Sequence, residues 1–164
     1  MLKLDGNNSL IQNTYKLLQK VAKDIFIVSE KSHATEMLKQ LNGFDKDRMI
    51  IEPCRKGTTN CTLLAARHIK NYFNNKKDDD RILFIHADHI FDDEKKFISS
   101  IKQAFSIKDK GVIIIGGKKP TYSGVKYGYV QTTKINNHLY KVIKFHEKPS
   151  LEVAKTLYKK PNYF

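Results

Sequence analysis

Cysteine is nearly absent from this chain, no apolar run is long enough for a bilayer, and acids are few beside bases. Each shortage removes a class of protein. Cys54 and Cys61 are the only thiols and form no CxxC pair, which argues against a zinc cage or a disulfide framework and suits a reducing, cytoplasmic compartment. No segment approaches the roughly 20 apolar residues that span a membrane. Residues 1–8 lack the charged start, apolar centre and small-residue cleavage site of a secretory leader. Neither export nor a membrane partner is expected. Internal repeats and low-complexity linkers are also missing, and 164 residues suit one domain with its own core.

Seventeen Asp and Glu stand against thirty Lys and Arg, for a formal charge of +13. Such an excess attracts nucleic-acid phosphate through counterion release. Here the lysines are scattered through every segment, with no RNP-like aromatic motif, zinc-finger spacing or long basic run. A Lys-rich solvated face explains them, and no nucleic-acid partner is expected. The same balance suits a protein whose small ligands carry phosphates.

Helix and strand patterns alternate along the chain. Leu10, Ile11, Tyr15, Leu17, Leu18 and Val21 give a helical stripe with Asn7, Asn8 or Ser9 as N-cap. Ile25-Phe26-Ile27-Val28 reads as a short buried strand, residues 32–41 as a helix stopped by Gly43, and Met49-Ile50-Ile51-Glu52 as a second strand broken by Pro53. Residues 59–73 follow as a helix. After the polar stretch 74–80, Arg81-Ile82-Leu83-Phe84-Ile85 reads as a third strand. Asp92-Asp93-Glu94 suit a helix N-terminus before Phe97, Ile98, Ile101 and Phe105. Val112-Ile113-Ile114-Ile115 is strand-like, and residues 127–131 and 138–145 look like antiparallel strands around a turn at Ile135-Asn136-Asn137. The series predicts an α/β fold, a Rossmann-like doubly wound and mostly parallel sheet. Function then belongs at the carboxyl edge of its strands.

Four segments fall at that edge. The strand at 81–85 runs into His86-Ala87-Asp88-His89. A carboxylate there is a hard oxygen ligand suited to Mg²⁺, which takes one or two protein carboxylates and leaves its other positions to water and phosphates. Two alternatives stay open: Asp88 capping the turn, and His86, Asp88 and His89 forming a transition-metal site of a hydrolase. Glu52-Pro53-Cys54-Arg55-Lys56-Gly57-Thr58-Thr59-Asn60 places cations, a glycine and hydroxyls before a helix N-terminus, where an anion is favoured; Thr58 or Thr59 acting only as an N-cap fits equally. Tyr127-Gly128-Tyr129 lets a flat polar ligand approach the backbone at Gly128, or marks a β-bulge between two partly exposed tyrosines. Glu147-Lys148-Pro149 closes a strand with an acceptor for hydroxyls and a cation for phosphate.

In this order the segments resemble the sugar-1-phosphate nucleotidylyltransferases, and within them the mannose-1-phosphate guanylyltransferases. Leu4-Asp5-Gly6-Asn7-Asn8-Ser9-Leu10-Ile11-Gln12-Asn13-Thr14 is similar to the family's L-x-G-x-x-S-L-L-Q-x-T. Ile51-Glu52-Pro53 and the residues to Ala66 are similar to I-L-E-P-x-x-R-N-T-A-P and the Ala-rich helix after it. Ala87-Asp88-His89 matches the core of P-A-D-H, Tyr127-Gly128-Tyr129-Val130 corresponds to G-Y-G-Y-I, and Phe145-His146-Glu147-Lys148-Pro149 to F-x-E-K-P. Five motifs in one order along nearly the whole chain are specific.

The resemblance implies an enzyme making GDP-mannose and pyrophosphate from GTP and mannose 1-phosphate, with Mg²⁺ as cofactor. It implies that Asp88 holds the metal, that Glu52, Lys56 and Thr58 lie near the nucleotide, that Tyr127, Gly128 and Glu147 contact the sugar, and that Lys148 pairs with its phosphate; Asp88 and Lys148 are then the catalytic pair. It further implies that the domain over residues 1–164 is incomplete. The family's G-G-x-G-T-R-L loop, P-K-Q segment and first strand would precede this chain, its W-N-S-G-M-F segment would follow, and these residues alone would be inactive. An inactive sugar-nucleotide-binding or regulatory module is the alternative. His86 stands for the family's Pro, Lys56-Gly57 for Arg-Asn, Thr59-Asn60 for Ala-Pro and Lys126 for Gly. The Arg-to-Lys change removes a rigid fork of donors at a nucleotide site, so other bases and hexoses stay open, as does assembly into a homo-oligomer.

Overall fold

The computed structural model describes residues 7–54, 56–74, 81–109 and 111–164. Residues 4–6 of the first motif, Arg55 of the second and residues 75–80 of the polar stretch lie outside them. Residues 1–109 and 110–164 form two compact units.

In the first unit, α1 (Leu10–Leu18) turns Ile11, Thr14 and Leu17 inward at the spacing that one helical face demands. Its N-cap is Ser9, and one arm of a capping box closes: Ser9 N–H donates to Gln12 Oε1 at 2.8 Å. Strand β1 (Ile27–Glu30) lies two residues later than the apolar run suggested, followed directly by α2 (Lys31–Gln40), a 3₁₀ turn (Lys46–Arg48) and β2 (Met49–Glu52). The two strands pair in parallel, Ile27 with Met49 through Glu30 with Glu52, which requires the α2 crossover between them. Helix α3 (Thr58–Tyr72) then packs Phe26 against His68, Tyr72 and Phe73 in edge-to-face contacts of 5.1–6.2 Å between centroids. Arg48 lies over Phe26 and Tyr72 at 5.8 and 5.7 Å and pairs with Asp24 at 3.0 Å. That places its cation across the aromatic cluster. Helix α4 (Glu94–Ser106) opens on Asp93, whose carboxylate accepts from Lys96 N–H at 2.9 Å.

Residues 81–86 belong to no hydrogen-bonded ladder among the described residues, contrary to the strand expected from their apolar run. Exposure still alternates as in a strand, with Ile82 and Phe84 open and Leu83 and Ile85 half-buried. Residues 112–115 likewise pair with nothing described, and Ile113 is 92% exposed. Apolar character favours a strand only when a neighbouring backbone supplies its hydrogen bonds.

The second unit is built on β3 (Tyr129–Lys134) and β4 (Tyr140–His146), antiparallel around a turn in which Asn136 Oδ1 accepts from His138 N–H and Leu139 N–H at 3.0 and 2.9 Å. The register shift sits between Gln131 and Thr132, where Ile143 of β4 is the extra residue, and not at Gly128, where a bulge was one expectation. Helix α5 (Leu151–Leu157), not expected from the apolar pattern, starts from Ser150 and buries Ala154 and Leu157. With Tyr129 and Tyr163 they form the core of this unit. The last residues add a third strand-like edge: Val130 and Phe164 exchange both backbone hydrogen bonds, at 2.8 and 3.0 Å. Lys119 Nζ holds that edge, donating to the carbonyls of Pro161 and Tyr163 while lying 4.0 Å from the Phe164 ring centroid.

Gly128 is required by packing. A Cβ built there would meet Phe145 Cζ at 2.4 Å, the arrangement in which a cross-strand aromatic covers a glycine. The ring is half-exposed and free to swing outward, so Gly128→Ala is expected to cost about 1 kcal/mol, the low end of overpacking. In a Phe145→Ala background the penalty should vanish. Urea denaturation of the four proteins measures this cycle; an equal cost in both backgrounds would mean that Phe145 is not the reason for the glycine.

Candidate active site

Asp88 lies in a short turn directly after residues 81–86, and it is exposed. A long-range hydrogen bond fixes the turn: Thr14 Oγ1 on α1 donates to the Ala87 carbonyl at 3.1 Å. Just beyond the C-terminal end of α1, Lys20 pairs with Glu94 in the first turn of α4. Asp88 thus lies between two tethers, one to α1 and one to the turn that follows it.

His86 and His89 flank it with ring centroids 5.4 Å apart, and the row continues through Phe91 to Phe97, the last two at 4.1 Å. Among the described residues no three His, Cys, Asp or Glu side chains converge on a possible metal. The transition-metal reading therefore fails on geometry: the imidazoles belong to an aromatic row and do not close a ligand set with Asp88. A lone exposed carboxylate is instead the donor set that Mg²⁺ accepts when phosphates and water fill its remaining positions.

Glu52 ends β2 beside Glu30 of β1, two carboxylates at the carboxyl end of the parallel pair. Lys56 and Thr58 are both exposed. Gly57, with φ at +84°, is the N-cap of α3 in place of the expected Thr58 or Thr59, and no side chain caps the helix there. Thr58 is the first helical residue, and its carbonyl accepts from Thr62 Oγ1 at 2.8 Å. The uncapped N–H groups and the positive end of the helix leave this turn suited to an anion.

In the second unit, Tyr127 is 62% exposed whereas Tyr129 is 3% exposed, so the expected pair of partly exposed tyrosines resolves into one at the surface and one in the core. The face of Gly128 that would admit a ligand is covered by Phe145. Glu147 and Lys148 are exposed and pair with each other at 3.3 Å. Lys148 has φ at +40°, a conformation costly for a residue with a Cβ and further disfavoured before Pro149. Strain of this kind collects where the position of a side chain matters more than stability.

Access to the start of α3 can be followed through the two thiols. Cys54 is exposed; Cys61 is half-buried on α3, and burial first, then the charge of Glu52, push its thiol up. A raised thiol has less thiolate at neutral pH and reacts more slowly. Iodoacetamide is expected to label Cys54 first, and Glu52→Gln should speed Cys61. Peptide mass spectrometry over time reads both, and equal rates would show that the first turn of α3 is open.

Comparison with known proteins covers the whole chain. Residues 1–164 match the model of the nucleotidyl transferase family. Mannose-1-phosphate guanylyltransferase 2 of Escherichia coli O157:H7 is 30% identical over 175 residues, covering 99% of this chain and 36% of that protein. Mannose-1-phosphate guanylyltransferase RfbM of Salmonella typhimurium is 29% identical over 167 residues, covering 99% and 34%. The chain thus spans about a third of the length of the curated relatives it matches. A crystal structure of a mannose-1-phosphate geranyltransferase from Thermus thermophilus superposes with a TM-score of 0.82 at 20% identity, over 97% of this chain and 45% of that one; it supports the α/β fold of this type. The chain belongs to the nucleotidyl transferase family.

Proposed function

We propose that this chain is part of an enzyme that transfers a guanylyl group from GTP to mannose 1-phosphate. Family membership supports the reaction class, and the observation that carries the reading is Asp88: an exposed carboxylate on a turn that α1 holds through Thr14. The similarity to mannose-1-phosphate guanylyltransferases supports the substrates. A phosphate oxygen of the sugar phosphate attacks the α-phosphorus in line; the bond from that phosphorus to the bridging oxygen breaks, and pyrophosphate leaves. No side chain forms a covalent intermediate, so positioning and charge stabilisation carry the rate.

Asp88 would hold Mg²⁺, which when bound neutralises charge on the phosphates. Lys56, Thr58 and the uncapped start of α3 receive the triphosphate, with Glu52 at the neighbouring strand end. Tyr127 and Glu147 offer hydroxyl partners to the sugar, Gly128 contributes through its main chain because Phe145 covers its α-carbon, and Lys148 exchanges its pairing with Glu147 for the sugar phosphate. The two free thiols suit a reducing cytoplasm.

Pyrophosphate release from GTP, Mg²⁺ and mannose 1-phosphate tests the assignment, using this chain and the same chain joined to the family's glycine-rich loop and C-terminal continuation. Turnover is expected in the extended form. There Asp88→Asn should lower it on the order of 100-fold or more with an unchanged circular dichroism spectrum; near-normal turnover would remove Asp88 from the metal. Silence from both forms would favour the inactive binding module or another nucleotide and sugar pair. Lys148→Gly should raise KM for the sugar phosphate while stability holds or rises by up to about 1 kcal/mol. A loss of stability would show that Lys148 is not strained.

A further inference from the structure

Thr14 interrupts the apolar face of α1. It lies between Ile11 and Leu17 on the inward side and is 6% exposed. A hydroxyl in such a stripe must be paired or carry a desolvation cost. Within a helix its usual partner is the carbonyl four residues back. Here Oγ1 donates instead to the Ala87 carbonyl at 3.1 Å, 73 positions along the chain.

That carbonyl belongs to the peptide that leads into Asp88. The peptide is trans and planar, so its oxygen, the Asp88 N–H on the opposite side and the Asp88 Cα move as one body. A bond that restrains the oxygen therefore restrains the point from which the Asp88 side chain departs. Among the described residues no other hydrogen bond reaches residues 82–92 from outside that segment. The neighbouring tether is a weaker one: Lys20 and Glu94 are both half-exposed, and ion pairs of this kind contribute little and are screened by salt.

We propose that Thr14 is a positioning residue: by holding the Ala87–Asp88 peptide it keeps the Asp88 carboxylate where a divalent cation can take it, so metal affinity depends on one hydroxyl of α1. The inference rests on the reading of Asp88 as a metal ligand. Misplacement matters for Mg²⁺, which demands near-ideal octahedral geometry. Without the bond the turn samples other orientations, and the apparent affinity falls with the fraction of molecules in the competent one.

The test uses the extended protein with GTP and with Mn²⁺ as the probe, because water-proton relaxation reads the ternary complex without turnover. Thr14→Val keeps the shape of the side chain and removes the proton donor. It should weaken Mn²⁺ binding about fivefold, the scale of one neutral hydrogen bond. The Mg²⁺ concentration for half-maximal pyrophosphate release should rise by the same factor, with kcat at saturating Mg²⁺ and the melting temperature little changed. Thr14→Ser, which retains the hydroxyl, and Lys20→Ala should both bind Mn²⁺ as the parent does. In this chain, ¹⁵N order parameters of Asp88 and His89 should fall in Thr14→Val and hold in Thr14→Ser.

Unchanged order parameters in Thr14→Val overturn the proposal at its geometric root. An equal loss of Mn²⁺ in Thr14→Ser or Lys20→Ala also overturns it, since the packing of α1 and not the hydroxyl would then place Asp88. Asp88→Asn separates the two readings. If that variant leaves Mn²⁺ binding unmoved, the metal assignment fails and the proposal fails with it. If it weakens Mn²⁺ while Thr14→Val does not, the metal assignment stands and Thr14 positions nothing.

Discussion

The second unit depends on one buried phenol. Tyr129 fills the core against Ala154, Leu157 and Tyr163, yet its hydroxyl reaches the Gly124 carbonyl. A buried tyrosine must pair its O–H or carry a desolvation cost of a few kcal/mol. Satisfying that requirement brings the 122–128 loop onto the end of β3 and forces glycine at position 124, where the rings of Tyr122 and Tyr127 close in. The core thus dictates the surface: what lies exposed above Gly124 follows from what is buried below it.

In the first unit the equivalent part is played by α1. One face of this nine-residue helix packs inward, and polar residues on and just beyond it then reach three places: Gln12 to the end of α2 at 2.7 Å, Thr14 to the Asp88 turn, and Lys20 to α4. The Asp88 turn has no ladder of its own among the described residues, so a hydroxyl from a helix more than seventy residues earlier does what sheet hydrogen bonds do elsewhere. A helix of this length is marginal alone in water. Its persistence, and with it the placing of Asp88, rests on tertiary contacts.

Much of this was legible from residue order, for reasons that differ by element. Helices α2, α3 and α4 and strand β2 fall within a residue or two of the apolar periodicity, because their stripes and caps are local signals; Asp93 caps α4 as its position suggests. Helix α5 leaves little apolar periodicity, because seven residues hold barely two turns and Leu151 is half-exposed. The run at 82–85 reads as a strand in any local scheme, and only the missing ladder distinguishes it. Motif spacing singles out Asp88, Glu147 and Lys148 as candidates, and all three are exposed. It could not show that Phe145 covers Gly128 or that Tyr122 and Tyr127 close over Gly124, since these contacts arise from chain folding and leave no period. Thr14 stood inside a quoted motif, and its tether to Ala87 crosses 73 positions.

Strand β4 carries a different kind of consequence. Val142, Ile143 and Phe145 are all about half-exposed, and among the described residues the strand pairs only with β3. Such an edge is a template for another copy. Lys141 and Lys144 interrupt it, on a chain whose net charge is +13, so two copies approaching edge to edge bring like charges together before any backbone hydrogen bond can form. The basic balance therefore acts as colloidal protection, with a range of only about 8 Å at physiological ionic strength. Concentrated salt or lysine acetylation would strip it away, and self-association through β4 would be the first failure of the purified chain.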